Sequence, residues 1–271
     1  VGVAVSALGA CLLPVNERGK PLRNAILYGI DTRAAPQINQ LEQTYSEKSL
    51  IEFSGMRLST QSIGPKILWI KQNEPEIYKK THKFLTSTSY LIHNLTGEFV
   101  IDISTATEFN PLINIRSLEW DDTFAGGIVT LEKLPRLGWS DQIAGQIIPS
   151  AQAATGIPVG TPVTFGTVDA ISEAVSIGVV HPGQLMIMYG STAFLIFLIK
   201  KPVPTEELWL EAGAFKGVYS YQAGLSTSGS ATTWFRDQFA KDLINKETTG
   251  GKNAYAILAT EAAASPVGSN G

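Results

Sequence analysis

The sequence contains very little cysteine, histidine or methionine: of its 271 residues, one is cysteine, three are histidine and three are methionine. The single cysteine, Cys11, excludes an internal disulfide. The scattered histidines, without a cysteine partner, argue against a metal site built from protein ligands. The chain opens on apolar residues with no basic segment before them, so no secretory signal is indicated and a cytoplasmic protein is expected.

The sequence also lacks an excess of charge of one sign and a long apolar run. The 21 basic and 24 acidic residues give a formal charge of -3, which predicts neither a nucleic-acid partner nor an anionic membrane partner. The longest apolar stretch, residues 185–199, is interrupted by Gly-Ser-Thr and is shorter than the ~20 residues that span a bilayer. It is interpreted as two buried strands joined by a turn.

What the sequence does contain is enough apolar surface for a core, at 44% hydrophobic residues, and an alternation of strand and helix patterns. This alternation predicts an α/β architecture, with two domains expected. Residues 147–163 carry several glycines and prolines and are predicted to be a connection. Strands are predicted at residues 1–5, 11–15, 26–28, 163–165, 184–189, 193–199 and 218–221. Helices are predicted at residues 38–45, 66–73, 87–94, 169–177, 231–239 and 254–264, with Pro75 opening a further helix.

The first candidate for chemistry is residues 166–169, Gly-Thr-Val-Asp, at the end of a predicted strand. In α/β proteins, ligands usually bind at such strand ends. Glycine lets the backbone approach a ligand closely, and Asp169 would lie at the strand end or in the first turn of the following helix. From these residues alone, a simple helix N-cap is an equally open interpretation of Asp169.

The second candidate is the turn Gly190, Ser191 and Thr192 between two strongly apolar segments. Successive backbone N–H groups and hydroxyls in such a turn can bind a phosphate. An ordinary hairpin turn is the alternative.

The pair of features, in this order, resembles the FGGY family of carbohydrate kinases, which belongs to the actin-like ATPase superfamily. That family carries a Gly-x-x-Asp element, a helix, a strand and then a Gly-Ser/Thr turn. Residues 26–33 are similar to its Trp-x-Asp-x-Arg region, and residues 65–73 are similar to its Pro-Lys-x-x-Trp helix. The Leu137 to Pro162 region, with Gly156 and Gly160, also fits. The resemblance covers essentially the whole chain.

The resemblance implies an actin-like ATPase (ribonuclease H-like) α/β fold of two domains. Residues 1–180 correspond to an N-terminal sugar-binding domain without its first strands, and residues 181–271 to the start of a C-terminal nucleotide-binding domain. The chain is therefore expected to be incomplete at both ends and inactive by itself. Residues 7–10 read Ala-Leu-Gly-Ala where xylulose kinases have Met-His-Gly-Ala, so the sugar is not identified.

The activity implied is ATP-dependent phosphorylation of a small sugar or polyol, with a ketopentose favoured and with ATP and Mg²⁺ as cofactors. No nucleic-acid or membrane partner is implied, and a homodimer is one oligomeric state left open. Asp169 would be the general base. The resemblance assigns sugar binding to Gly9, Ala10, Asp31 and Arg33, and ATP binding to Gly190, Ser191, Thr192 and Gly229.

Alternatives remain open at this stage. A non-catalytic sugar or nucleotide sensor could keep the same scaffold. A serine hydrolase using Ser191 or Ser226 is disfavoured, because neither serine lies in a Gly-x-Ser-x-Gly elbow. Asp31 could simply stabilise a turn. The segment around Gly229 could be a flexible loop before a core-facing Trp234–Phe235 pair.

Overall fold

The computed structural model describes residues 1–269 and divides them into two compact units. The first contains Val1–Met186 and Ile196–Gln222, and the second contains Ile187–Leu195 and the chain from Ala223 onward. The domain boundary near residue 180 stays a prediction, and the last two residues of the predicted second domain, 181–271, lie outside the described residues.

The helices of the first unit begin and end at residues that suit helix termini. Pro75 and Pro149 each occupy a first helical position. The Thr86 hydroxyl accepts a hydrogen bond from the N–H of Ser89 where one helix begins, and Gly97 ends that helix with φ of 81°. The helices are α1 (Ala35–Thr44), α2 (Glu47–Ser54), α3 (Ile63–Asn73), α4 (Pro75–Lys80), α5 (Ser87–Thr96), α6 (Ile103–Ala106), α7 (Pro149–Thr155) and α8 (Asp169–Ser176), with 3-10 helices at Thr107–Phe109 and Leu131–Lys133.

The strands form short pairs and one four-stranded sheet. They are β1 (Ser6–Ala7), β2 (Leu13–Val15), β3 (Lys83–Leu85), β4 (Val100–Asp102), β5 (Arg136–Gly138), β6 (Ile143–Gln146), β7 (Pro162–Thr164), β8 (Thr167–Val168), β9 (Leu185–Tyr189), β10 (Ala193–Ile199), β11 (Trp209–Ala212) and β12 (Tyr219–Leu225). Strands β1 and β8 are parallel, as are β4 and β5, whereas β2–β3 and β6–β7 are antiparallel. The larger sheet has the order β11-β12-β10-β9.

The largest hydrophobic core belongs to the first unit. It joins Ile63 and Ile67 of α3 to Phe84 of β3 and Phe109 of the 3-10 helix, and all four side chains are fully buried. Close packing of this kind holds the surrounding backbone in one arrangement. Lys66 lies in the same helix and is equally buried, so a cationic group reaches the interior beside this core.

The second unit contains three helices within the described residues: α9 (Gly229–Phe239), α10 (Lys241–Thr248) and α11 (Ala254–Ala262). Its small core joins Ala240, Leu243 and Ala254. No helix in the described part of the chain has both the length and the apolar character needed to cross a bilayer.

Most of the predicted helices and strands are confirmed to within a few residues, but three expectations about their positions are wrong. Residues 147–163 contain α7, because Pro149 starts a helix in an alanine-rich segment that Gly156 then ends. Residues 26–28 form only an isolated bridge at Ile26, since side chains bind the following backbone groups in place of a strand. At residues 1–5 the pairing is one bridge at Val3, and the strand begins at Ser6.

The expectation that the strands of residues 185–199 are buried is wrong for β9. Leu185, Ile187, Met188 and Tyr189 are exposed, since no element within residues 1–269 covers their side chains. Several short elements were not predicted: helices α2, α6 and α10, and strands β3, β4, β5, β6 and β11.

Candidate active site

Asp169 is the first residue of α8 and directly follows β8. Val168 occupies the N-cap position, so the N-cap interpretation does not describe Asp169. The Asp169 side chain is half-buried, and its Oδ1 atom accepts a hydrogen bond of 2.9 Å from the N–H of Ala170. Gly166, three residues earlier, has φ of 61°, and a Cβ there would lie 2.0 Å from the carbonyl oxygen of Val5. Only glycine fits that position.

The segment carrying Gly9 and Ala10 reaches the same edge as Asp169. Strands β1 and β8 are parallel, with Ala7 paired with Val168. The chain leaving β1 toward Gly9 and Ala10 therefore runs beside the chain leaving β8 into Asp169. Ala10 is fully buried and Gly9 is half-buried. Carboxyl ends of parallel strands that meet in this way are the usual location of α/β ligand sites.

Asp31 and Arg33 bind each other. The Arg33 Nε atom donates to both carboxylate oxygens of Asp31, at 2.8 and 3.0 Å, and the Arg33 backbone N–H donates to Oδ1 at 3.2 Å. The last contact is the turn-stabilising bond expected of the alternative interpretation of Asp31. The hydrogen bond from Arg33 lowers the pKa of Asp31, and the guanidinium group lies 4.8 Å from the ring centre of Trp69. Arg33 is thus engaged with protein groups on two sides.

Lys66 connects this pair to the Asp169 side of the unit. Its Nζ atom donates to the carbonyl oxygen of Leu27 at 2.7 Å, and its charge acts on Asp31 and Cys11. Burial lowers the pKa of Lys66 to about 8. Burial also raises the pKa of the Cys11 thiol, which lies within electrostatic reach of both Lys66 and Asp169. The charge of Lys66 thus acts both on Asp31 and on Cys11, the residue that follows Gly9 and Ala10.

Three buried or half-buried carboxyl groups beside this region were missed by sequence reasoning. Burial raises the pKa of Asp102 to about 6 and that of Glu211 to about 8. Burial, followed by the charge of Glu211, raises the pKa of Glu108, whereas the backbone N–H of Ala10 acts to lower it. Asp102 ends strand β4, so the strand-end criterion that selected Asp169 could have found it. Glu108 and Glu211 carry no such signal.

In the second unit, the turn Gly190–Thr192 packs on the start of α9. The N–H of Gly229 donates to the carbonyl oxygen of Gly190 at 2.9 Å, and the N–H of Ser228 donates to that of Ser191 at 2.8 Å. The helix N–H groups thus bind carbonyl oxygens of the turn. Within residues 1–269 no partner is found for the N–H groups of Ser191 and Thr192, which leaves them free to bind an anion.

Gly229 is required for this contact. A Cβ at Gly229 would lie 2.5 Å from the carbonyl oxygen of Gly190, so any other residue would push the helix away from the turn. The four residues predicted to bind ATP are therefore brought together. Within residues 1–269, Trp234 and Phe235 of α9 are exposed and do not face a core.

Within residues 1–269, no group of three or more histidine, cysteine, aspartate or glutamate side chains is arranged to hold a metal ion. His82 and His93 instead contact the ring of Phe99, with ring centres 5.1 and 4.2 Å away. The Gly190–Thr192 turn, with its free N–H groups, suits phosphate groups, whereas the described side chains offer no cluster for a magnesium ion.

The family model described as the N-terminal domain of the FGGY family of carbohydrate kinases matches residues 1–176. The gluconokinase of Bacillus subtilis (strain 168) is 24% identical over 273 residues, and the xylulose kinase of that organism is 25% identical over 274 residues. These matches cover 99% and 100% of this chain but 52% of each relative. The chain thus spans about half the length of the curated relatives it matches.

Among solved structures, the xylulose kinase from Rhodospirillum rubrum is similar, with a TM-score of 0.88 and 25% sequence identity. The match covers 98% of this chain and 53% of that chain. Together with the family-model match, this likeness confirms the predicted α/β fold of actin-like ATPases.

Proposed function

Because the chain belongs to the FGGY family of carbohydrate kinases, we propose that the protein containing it transfers a phosphoryl group from ATP to a hydroxyl of a small neutral sugar or polyol, with a ketopentose favoured. The observation that carries this proposal is the meeting of two chain segments after parallel strands. Asp169 follows β8, and Gly9 and Ala10 follow β1, at one edge of the pair.

Asp169 is the general base of the proposed reaction. It accepts the proton of the sugar hydroxyl that attacks the γ-phosphorus, for which the carboxylate must lie within hydrogen-bond reach of that oxygen. Its half-buried position at the start of α8 supports this role, because the side chain remains accessible to a substrate while its backbone is held by β8.

The charges around the site favour a neutral substrate over a sugar acid. Asp31 and Asp169 contribute carboxyl groups, while the cations Lys66 and Arg33 are already bonded to the protein. A sugar carboxylate would need an uncommitted cation to offset its desolvation. A neutral sugar instead donates its hydroxyls to the carboxylate oxygens.

The turn of Gly190, Ser191 and Thr192 holds the phosphate chain of ATP, which when bound supplies the transferred group. Phosphoryl transfer depends mainly on positioning and on stabilising charge at the equatorial oxygens, and N–H and hydroxyl donors provide both. Gly229 supports the turn because the start of α9 packs closely against Gly190. Magnesium stays a prediction from the family resemblance. The cytoplasmic location, expected from the sequence composition, and the homodimer, one of the oligomeric states left open, also stay predictions.

The test is ATP consumption by the full-length protein with ketopentoses, other ketoses, polyols and sugar acids, comparing the wild type with Asp169→Asn. We expect one neutral sugar to give turnover and Asp169→Asn to reduce kcat by about 10²–10⁴-fold, the usual contribution of a general base. Glu173→Gln removes an exposed carboxylate from the same helix and serves as the matched control.

Two outcomes would contradict the proposal. Full activity in Asp169→Asn would refute the base assignment. Sugar binding without ATP consumption on any substrate would indicate a non-catalytic sensor on the same scaffold.

A further inference from the structure

Asp102 is a buried carboxylate, 1% exposed, that accepts three hydrogen bonds. Two of them come from Thr105: its N–H donates at 3.0 Å and its hydroxyl donates at 2.6 Å. These two bonds cap the short helix α6. The third comes from the hydroxyl of Thr167 in β8, at 2.9 Å from Oδ2. This bond joins positions that are 65 residues apart in the sequence.

Capping of α6 does not explain the third bond. A neutral serine or asparagine caps a helix about as well as aspartate does. Burying an ionisable carboxyl group is much less favourable than burying a neutral cap. The Oδ2 atom of Asp102 accepts both from the N–H of Thr105 and from the hydroxyl of Thr167. The aspartate is therefore expected to serve strand β8 as well as the helix.

Thr167 lies two residues before Asp169, and its polar groups are fixed on several sides. Its N–H donates to the carbonyl oxygen of Val5 at 3.2 Å, and its own carbonyl oxygen accepts from the Thr88 hydroxyl at 3.2 Å. With the hydroxyl bonded to Asp102, the side chain cannot rotate without breaking a buried hydrogen bond. The hydrogen bonds of Thr167 therefore fix the orientation of the backbone that leads into Asp169.

We propose that Asp102 and Thr167 are positioning residues for the general base: the Asp102 carboxylate holds the Thr167 hydroxyl, which fixes β8 and hence the carboxylate of Asp169. The proposal rests on the proposed function, in which Asp169 takes a proton from the sugar. Small displacements of a catalytic group can reduce turnover strongly even when substrate binding is unchanged.

The groups facing Asp102 predict how the link responds to pH. Besides Thr105 and Thr167, the carboxyl groups of Glu108 and Glu211 lie within electrostatic reach, and the charge of Lys66 acts on Glu108. Asp102 accepts three hydrogen bonds, so of these three carboxyl groups it is the one best able to stay ionised. Its pKa is about 6 because of burial, so the link should weaken as the pH falls through that value.

The experiment compares Thr167→Val, which removes the hydroxyl at similar size, with Thr167→Ser, which keeps it, in the full-length protein. We expect kcat to fall about tenfold in Thr167→Val while the sugar KM changes less than about threefold, and Thr167→Ser to restore most of kcat. The acid limb of the wild-type kcat profile near pH 6 should be lost in Thr167→Val. Thr81→Val is the matched control, because the buried Thr81 hydroxyl bonds only within its own helix turn.

Amide hydrogen exchange of residues 166–170 provides a readout that does not depend on turnover. We expect faster exchange there in Thr167→Val and in Asp102→Asn, but not in Thr167→Ser or Thr81→Val. Unchanged exchange, or unchanged kcat in an active Thr167→Val enzyme, would overturn the positioning role. If Thr167→Val fails to fold, Asp102→Asn decides the matter, since asparagine can still cap α6. Retained activity in Asp169→Asn would instead refute the proposed function, and the exchange data would still test the link.

Discussion

At the scale of single residues, Trp69 contacts two arginines that are each paired with a carboxylate. Arg33 lies 4.8 Å from the ring centre and binds Asp31, and Arg23 lies 5.5 Å from it and binds Glu74 at 2.9 Å. The two pairs are chemically alike, but only the Asp31 pair belongs to the predicted sugar site. They therefore provide an internal comparison between a binding role and a structural role.

Asp31→Asn should raise the sugar KM by about 10- to 100-fold, since a hydrogen bond to a charged group contributes about 1.5–3 kcal/mol. The KM for ATP should be unchanged. Glu74→Gln removes the equivalent carboxylate charge and should leave both KM values near those of the wild type. Steady-state kinetics of the full-length protein check this, and equal effects of the two variants would show that Asp31 has only a structural role.

At the scale of elements, the contact between the Gly190–Thr192 turn and helix α9 requires a glycine at position 229. The sequence predicted that both segments bind ATP, but it did not predict that they touch. Gly229 follows the turn by almost forty residues, and no local pattern indicates which glycine packs against which turn. The close approach of Gly229 to the carbonyl oxygen of Gly190 is seen only in the folded structure.

Gly229→Ala should raise the KM for ATP severalfold and lower kcat, because the new Cβ would lie 2.5 Å from the Gly190 carbonyl oxygen and displace the turn. Gly126→Ala is the matched control, since a Cβ at Gly126 meets nothing within 4 Å. Titration of each variant with ATP at saturating sugar makes the comparison. An unchanged KM for ATP in Gly229→Ala would exclude this turn from nucleotide binding.

At the scale of the whole molecule, the buried carboxyl groups make stability depend on pH. The pKa values of Asp102, about 6, and Glu211, about 8, lie above those of an unfolded chain, so the folded state binds more protons between roughly pH 4 and 8. The contribution of these two carboxyl groups to the free energy of unfolding is therefore fully present below about pH 4. It is lost as the pH rises through their folded pKa values. Lys66 has a pKa lowered to about 8, so its contribution makes the free energy of unfolding rise as the pH increases above 8.

We expect the full-length protein to have a higher Tm at pH 5.5 than at pH 8. Glu211→Gln should flatten this dependence by about 1–3 kcal/mol in unfolding free energy, because one pKa unit corresponds to about 1.4 kcal/mol. Glutamine keeps an oxygen to accept the Gln222 side-chain N–H, which binds Glu211 at 2.8 Å. Glu119→Gln, at an exposed position, should leave the slope unchanged. A wild-type Tm that rises from pH 5.5 to pH 8 would contradict the expectation.

The sequence by itself determined the features that depend on neighbouring residues. Apolar periodicity predicted α5 and α8, Gly97 marked a helix end, and the strand-end rule selected Asp169. The resemblance of its motifs, taken in order along the chain, to those of FGGY kinases implied the actin-like fold. The same local rules failed at residues 26–28, where side chains from α3 and from Gln61 bind the backbone groups.

Only the tertiary structure decided which distant residues meet. Asp102 and Thr167 are 65 positions apart, and Glu211 joins Glu108 and Asp102 from a strand that the sequence did not predict. Burial and electrostatic coupling depend on packing in three dimensions. The raised pKa values of these carboxyl groups therefore cannot be predicted from the neighbouring residues in the sequence. The sequence therefore determined many of the elements and selected Asp169 as the candidate base, and the fold determined which distant side chains meet near it.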